Sequence, residues 1–276
     1  MASIIDDALK TTRRSLPLAV VPVVASLLSF SQVARALAAD AGGGVAFPFP
    51  NGLPTLWTYV SLPAGPAGTG GGGPLSLPAF LVSFALGLLV TAALEAGFLG
   101  ALSNRIDGRP AAFPAGVRRF TLRMVGVQLL RSALVFAVLP LFVVPPLALL
   151  AILVLSYLVY GLPFVIVVHD ADFVPALRRT IGHATDGGLY ASYGFGHLLA
   201  GAVASVVLST LTLTAGLPGI LLGVVIVAVP AVFVACAGLL VFRELGDGSP
   251  GPDEVGAGDS PDSGPDEGAG PAAQAE

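Results

Sequence analysis

Hydrophobic positions in this chain come in long stretches rather than in alternation. Mostly apolar runs cover residues 16–39, 77–103, 124–143, 146–168, 189–214 and 217–242. A helix rises about 1.5 Å per residue, so about 20 apolar residues cross a hydrocarbon layer about 30 Å thick. The stretch from Met124 to Val168 is too long for one crossing. Pro140 and the pair Pro145-Pro146 divide it, because proline lacks a backbone donor and clashes with the preceding turn. A second division falls at Gly216-Leu217-Pro218-Gly219. The pattern predicts an all-α, polytopic membrane bundle of six transmembrane helices.

The polar positions between the runs carry a pattern of their own. Ala8-Leu9-Lys10, Gly116-Val117-Arg118-Arg119 and Ala176-Leu177-Arg178-Arg179 each read small, aliphatic, basic, and each precedes an odd-numbered run. At about 100° per residue, Phe173, Val174, Leu177, Ile181 and Ala184 share one side, opposite Arg178, Arg179, Gly182 and His183. Ile4, Ile5, Ala8 and Leu9 likewise oppose Asp6, Lys10, Arg13 and Arg14, and Ser3 with Asp6 resembles a capping box. The middle segment groups Phe113, Val117, Phe120 and Met124, although Leu122 interrupts its polar side. Such helices lie in the headgroup plane with arginines on lipid phosphates. Arg13, Arg14, Arg118, Arg119, Arg178 and Arg179 are the candidate phosphate contacts. The expectation is three repeats of an interfacial amphipathic helix plus a transmembrane hairpin.

Charge orients this layout. Of the 13 Lys and Arg residues, only Arg35 and Arg131 fall within or at the edge of a run; the others lie on one side of the six-run path. Lys and Arg are retained on the cytoplasmic side, which predicts a multi-pass protein of the cytoplasmic membrane with both termini inside. Composition agrees. The chain is 55% hydrophobic and 11% charged with a mean hydropathy of +0.87, whereas a soluble domain is about 25% charged. Twelve of the 13 basic residues are Arg, a bias that fits a GC-rich, salt-loving prokaryote.

Residues 40–76 are rich in Gly and Pro and read as an extracellular loop, with Trp57 and Tyr59 as interface anchors. From residue 245 onward the chain carries eight acidic residues and no basic one, which predicts a disordered acidic cytoplasmic tail. Without those eight charges the net −4 becomes +4.

Three ionisable residues fall well inside the runs: Glu95, Arg131 and His197. All three lie about 12–14 Å from the inner surface at about 1.5 Å per residue. An unpaired charge at mid-bilayer costs about 2.5–3.5 kcal/mol on insertion scales, so partners are required. Glu95 and Arg131 are expected to pair toward the bundle interior, with His197 nearby. Such a layer serves either to fix helix register or as a proton or substrate relay. Arg35, near the outer interface, is expected to snorkel. Small residues at four-residue spacing mark close helix contacts: Ala93, Gly97 and Ala101; Gly196, Ala200 and Ala204; and Gly219 with Gly223.

Gly161-Leu162-Pro163-Phe164 through Val168-His169-Asp170, then Ala176-Leu177-Arg178-Arg179-Thr180 and Asp186-Gly187-Gly188, carry a resemblance. They resemble the loop after the fourth span in a group of prokaryotic six-helix membrane proteins that includes haloarchaeal proteins of unknown function. They are also similar to the membrane domain attached to some glycerophosphodiester phosphodiesterases. The resemblance implies fold and location; no catalytic barrel is present, so it brings no catalytic residue.

Other chemistry finds little support. His169, Asp170, Asp172, His183 and Asp186 match no zinc or EF-hand spacing, and Asp172 is expected to cap the helix that follows. Cys236 is the sole cysteine, which excludes an intrachain disulfide. No hydrolase or nucleotide motif occurs, and no cofactor or metal is expected. Arginines that adjoin the spans suit membrane lipids rather than nucleic acid. Thr12-Arg13-Arg14-Ser15-Leu16 also looks like a twin-arginine export signal, whose cleavage would leave five spans. The functional expectation is a structural or accessory membrane component, alone or with a homo-oligomeric or membrane-complex partner. The alternative is a transporter or permease subunit that uses the layer at Glu95, Arg131 and His197.

Overall fold

The computed structural model describes residues 2–39, 44–62 and 77–247. Among them every regular element is helical: α1 (Ala2–Arg14), a 3-10 turn (Leu16–Ala19), α2 (Val20–Leu28), α3 (Phe30–Ala38), α4 (Leu56–Tyr59), α5 (Leu77–Ile106), α6 (Phe113–Val138), a second 3-10 turn (Leu139–Val143), α7 (Pro145–Val159), α8 (Leu162–His169), α9 (Phe173–Asp186) and α10 (Gly188–Asp247). Among the described residues four helices are long and apolar enough to cross a membrane: Leu77–Ile106, Phe113–Val143, Pro145–His169 and Gly188–Gly246. A bent pair, Leu16–Leu28 with Phe30–Ala38, passes the same test together and counts as a fifth when it is taken as one span.

The longest of these is not a straight rod. Gly216 has φ 58° and ψ −133° inside α10, a conformation that only a residue without Cβ holds at little cost. A Cβ on Gly219 would collide with the carbonyl oxygen of Leu211, and one on Gly223 would lie 3.5 Å from the Thr212 hydroxyl. In an unbroken helix those pairs would stand about 12 and about 16 Å apart. The chain therefore reverses at Gly216 and packs its two arms together.

The first run departs from expectation. Instead of one helix over 16–39, α2 and α3 meet at 62° around Ser29, whose ψ is 58°. The Ser26 and Ser29 hydroxyls donate to the carbonyls of Pro22 and Ala25 at 2.7 and 3.0 Å, a back-bonding that bends helices. Groups at the break find partners from a distant segment. The Trp57 indole donates to the Ser26 carbonyl at 2.7 Å, and the Leu56 amide donates to the Ser26 hydroxyl at 3.0 Å.

That partner segment packs more deeply than its composition suggests. Residues 44–62 do not lie outside the bundle. They descend into it, burying Leu53, Leu56, Tyr59 and Val60. Phe49 stacks on Tyr160 with ring centroids 5.9 Å apart, and Pro48 fills the space above Gly201. Irregular backbone is tolerated at membrane depth only where protein or a polar cavity satisfies it. Here the serines of α10 do so: Ser205 accepts from the Ala46 amide at 2.7 Å and Ser209 from the Ser61 amide at 2.9 Å. Residues 40–43 and 63–76 lie outside the described residues, as does the tail beyond Asp247.

Two of the three expected interfacial helices are separate elements. α1 buries Ile4, Ala8 and Thr12, and α9 buries Ala176, Thr180 and Ala184; Ile5, Leu9, Val174 and Ile181 stay exposed. His183 is buried as well, so it leaves the polar side on which the helical wheel put it. The middle segment does not stand apart: α6 runs unbroken from Phe113 to Val138. It has no counterpart of Gly187-Gly188, whose φ values of 70° and 54° separate α9 from α10. Positions 113–120 and 173–180 nonetheless share one burial order, with the small residue and the one four later buried and the arginine pair exposed. α1 begins at Ala2, so Ser3 lies inside the helix rather than capping it. Asp172 occupies a cap position without a capping hydrogen bond.

The tightest packing lies between α5 and α6. Every residue from Glu95 to Leu102 is buried. A Cβ on Gly100 would stand 2.7 Å from the Cα of Gly116, and one on Gly116 would stand 2.8 Å from the Ala96 carbonyl. These backbones touch because both positions are glycine. The opposite half of α5, from Leu77 to Thr91, is almost wholly exposed.

Candidate functional site

Glu95 sits where the packed half of α5 meets the open half, with 1% of its surface exposed. Its partners come from one face of α6. Gln128 Nε2 donates to Oε2 at 2.6 Å, and Arg131 Nη1 reaches the two carboxylate oxygens at 3.5 and 3.4 Å. The embedded segment closes the other side at Gly52, where any Cβ would collide with Glu95 Oε1. A buried carboxylate is tolerable only when paired and hydrogen-bonded, and three elements meet here to do that.

A cleft of about 590 Å³ ends on these residues. Ser29, Asn51, Thr55 and Thr91 add polar groups; Phe30, Leu86 and Val90 supply apolar wall. On the far side of Arg131 a second cavity of about 320 Å³ runs among Phe47, Asn51, Ser156 and Tyr160. The Arg131 side chain is 29% exposed and lines both. Asn51 also lines both, and its Oδ1 is buried without a hydrogen-bond partner.

Glu95 and Arg131 are thus brought together, and His197 is not. Its Nε2 lies 3.5 Å from the Tyr59 hydroxyl, because its ring on α10 faces the embedded α4 rather than α5. Gln128, which sequence reasoning passed over, takes its place. The signal was present: Gln128 and Arg131 are three apart on one helix face. Asn51 and Gly52 had only a weak signal, the apolar Leu53, Leu56 and Val60 inside a Gly/Pro-rich stretch.

A second charged cluster occupies the basic end. Asp170 adopts the left-handed region at φ 49° and ψ 31°. Arg119 binds its carboxylate through Nε at 3.1 Å and Nη2 at 2.7 Å, and Arg123 through Nη1 at 2.6 Å. Arg119 first and Arg123 second hold the Asp170 carboxyl down to about 2. Arg123 also takes Asp172 at 3.0 Å, which explains why that carboxylate does not cap α9. Nearby, Arg243 reaches Asp107 at 2.7 Å, and Arg109 pairs with the same carboxylate. These clasps border a cavity of about 780 Å³. Among the described residues no three His, Cys, Asp or Glu side chains converge as metal ligands.

Of the six arginines expected at lipid phosphates, all are exposed. Arg119 is engaged by Asp170; Arg13, Arg14, Arg118, Arg178 and Arg179 make no ion pair among the described residues. The packing stripes divide. Gly97 lies under the Phe113 ring and Ala101 is buried, while Ala93 is half-buried. Gly219 and Gly223 pack against Leu211 and Leu56. Gly196 and Ala200 are exposed and Ala204 is half-buried. The contact face of α10 is turned instead to Gly194 under Tyr160 and Gly201 under Pro48.

Comparison with protein-family models, with curated proteins and with solved structures returned no match. The fold defines a class: a helical protein with several segments long and apolar enough to cross a membrane.

Proposed function

We propose that the chain is a six-crossing protein of the cytoplasmic membrane, both termini cytoplasmic, acting as a structural or accessory component. Six crossings follow from counting the bent pair as one and the two arms of α10 as two. The basic residues support the orientation, since those of α1, α9, the α5–α6 connection and the end of α10 fall on one side of such a path. The shared burial order of 113–120 and 173–180 supports a repeated unit of basic helix and hairpin.

The observation that carries the structural role is the buried layer from Glu95 to Leu102. Between Glu95, which lines the cleft at Arg131, and Gly100, which lines the cavity at the basic end, α5 is buried without a break, and Gly52 of the embedded segment packs beside it. A conduit would need that layer to open.

Single cysteines introduced for Val144, Leu217, Ser3 and Asp186 in a Cys236→Ala background test the topology. A membrane-impermeant thiol reagent applied to intact cells should label the first two and spare the last two; the reverse pattern ends the orientation. In proteoliposomes loaded with small solutes, release should match empty vesicles. Release that depends on Glu95 would replace the accessory reading with transport.

A further inference from the structure

The basic end carries more arginine than its own carboxylates hold. Arg119 and Arg123 are taken by Asp170 and Asp172, and Arg109 and Arg243 share Asp107. Arg105, Arg118, Arg178 and Arg179 are exposed and make no ion pair or hydrogen bond among the described residues. Beyond Asp247 the sequence carries seven acidic residues and no Lys or Arg, and six of the seven fall between Asp253 and Glu267. One chain thus holds an arginine face short of anions and an acidic segment with no cations of its own.

The root of that segment lies among the four arginines. Arg243, near the end of α10, reaches Asp107 at 2.7 Å, two residues from Arg105. Gly246 lies against the His169 ring. His169 adjoins Asp170, which is bound at 2.7 Å by Arg119, the neighbour of Arg118. Arg178 and Arg179 stand about 8–9 Å along α9 from its first residue, Phe173. Asp253 follows Asp247 by six residues and Glu267 by twenty. At no more than about 3.3–3.6 Å per residue, those carboxylates reach at most about 20 and about 70 Å from the end of α10. All four arginines fall within that span.

We infer that residues 253–267 dock on Arg105, Arg118, Arg178 and Arg179 of their own chain and shield them from other anions. A single exposed ion pair is weak and screened by salt. Several act together here, and attachment to α10 sets an effective concentration on the order of millimolar. The contact therefore holds at low ionic strength and is released as salt rises, which uncovers the arginines for phosphate-bearing surfaces. The inference does not depend on the number of crossings or on the accessory role. It needs only that the end of α10 and the arginines share one side, which the Arg243–Asp107 and Arg119–Asp170 pairs establish.

The test uses the full chain in phosphatidylcholine nanodiscs, with spin labels on cysteines introduced for Leu122 and Ala257 in a Cys236→Ala background. Leu122 is 84% exposed and lies one turn beyond Arg118. Pulsed electron resonance should give one short, narrow distance at about 0.01 M salt. It should give a longer, broad distribution at about 1 M, where the screening length falls from about 30 to about 3 Å. Replacing the six acidic residues of 253–267 by Asn and Gln should leave the distribution broad at both salts. The triple variant Arg118→Gln, Arg178→Gln, Arg179→Gln should do the same. Its thermal midpoint should stay at that of the parent, because exposed positions without partners contribute little to stability. A broad distribution at low salt with the acidic residues intact would mean that lipid phosphates hold the arginines, and would overturn the proposal. A narrow distance that survives neutralisation of either partner, or survives high salt, would overturn it too. So would a short distance that vanishes on dilution with excess unlabelled protein, since the segment would then sit on a second copy.

Discussion

α6 presents the same chemistry twice, at two depths. Near its start Arg119 and Arg123 hold Asp170; further along, Gln128 and Arg131 hold Glu95. The Asp170 side chain is 46% exposed, so water and salt screen its pairs. Glu95 has almost no exposure and depends on its partners alone. Exposed ion pairs contribute about 0–1 kcal/mol, whereas removing one member of a buried pair costs about 3–5 kcal/mol. The closer ion pairs, 2.6 and 2.7 Å against 3.4 Å, belong to the cluster that matters less for stability. Environment outweighs distance.

The largest expected effect follows at once. Arg131→Gln leaves a buried carboxylate with a weaker partner and should lower stability by about 3 kcal/mol, read as a drop in the thermal midpoint in detergent. Arg119→Gln should cost under about 1 kcal/mol. Equal losses would erase the distinction between the two depths.

Next comes the helix contact that brings Gln128 and Arg131 to Glu95. Gly116→Leu forces side-chain atoms against the Ala96 carbonyl and the Gly100 backbone. It should destabilise by about 1–3 kcal/mol, the usual cost of overpacking. Gly196→Leu, at a position with open space around it, should stay within about 0.5 kcal/mol.

The smallest effects are in pH. The Asp170 carboxyl is held at about 2 in the folded chain, below its ordinary value near 3.9. Its contribution is present above about pH 4 and fades as pH falls toward 2. Unfolding midpoints of wild type and Asp170→Asn should therefore converge across that window, and the gap above it should shrink with added salt. His183 is lowered by burial first and by Arg179 second. Its folded value lies below the unfolded one near 6.5, so its contribution is present above that value and declines on acidification. His183→Gln should flatten the midpoint between pH 7 and 5.

Much of the layout was legible because hydrocarbon thickness and proline are local rules. The pairing of Glu95 with Arg131 was read from depth alone, as residue spacing becomes distance along a helix. His197 shows where depth fails, since rotation about the helix axis decides which neighbour a side chain meets. The same error displaced the stripe at Gly196 and Ala200, whose spacing is right and whose phase on α10 is not. The packing of residues 44–62 was hidden for a different reason. Gly and Pro report irregular backbone, and such backbone is usually exterior. Here Ser26, Ser205 and Ser209, up to 159 residues away, supply the hydrogen bonds that let it sit inside. No local pattern encodes that.

The most direct measurement is a double-mutant cycle of Glu95→Gln and Arg131→Gln, by thermal unfolding in one detergent at fixed salt. The account predicts that the double variant loses less than the two singles together, with a coupling of about 2 kcal/mol. Losses that simply add would mean that the two charges stand side by side without depending on each other, and the buried centre described here would not exist.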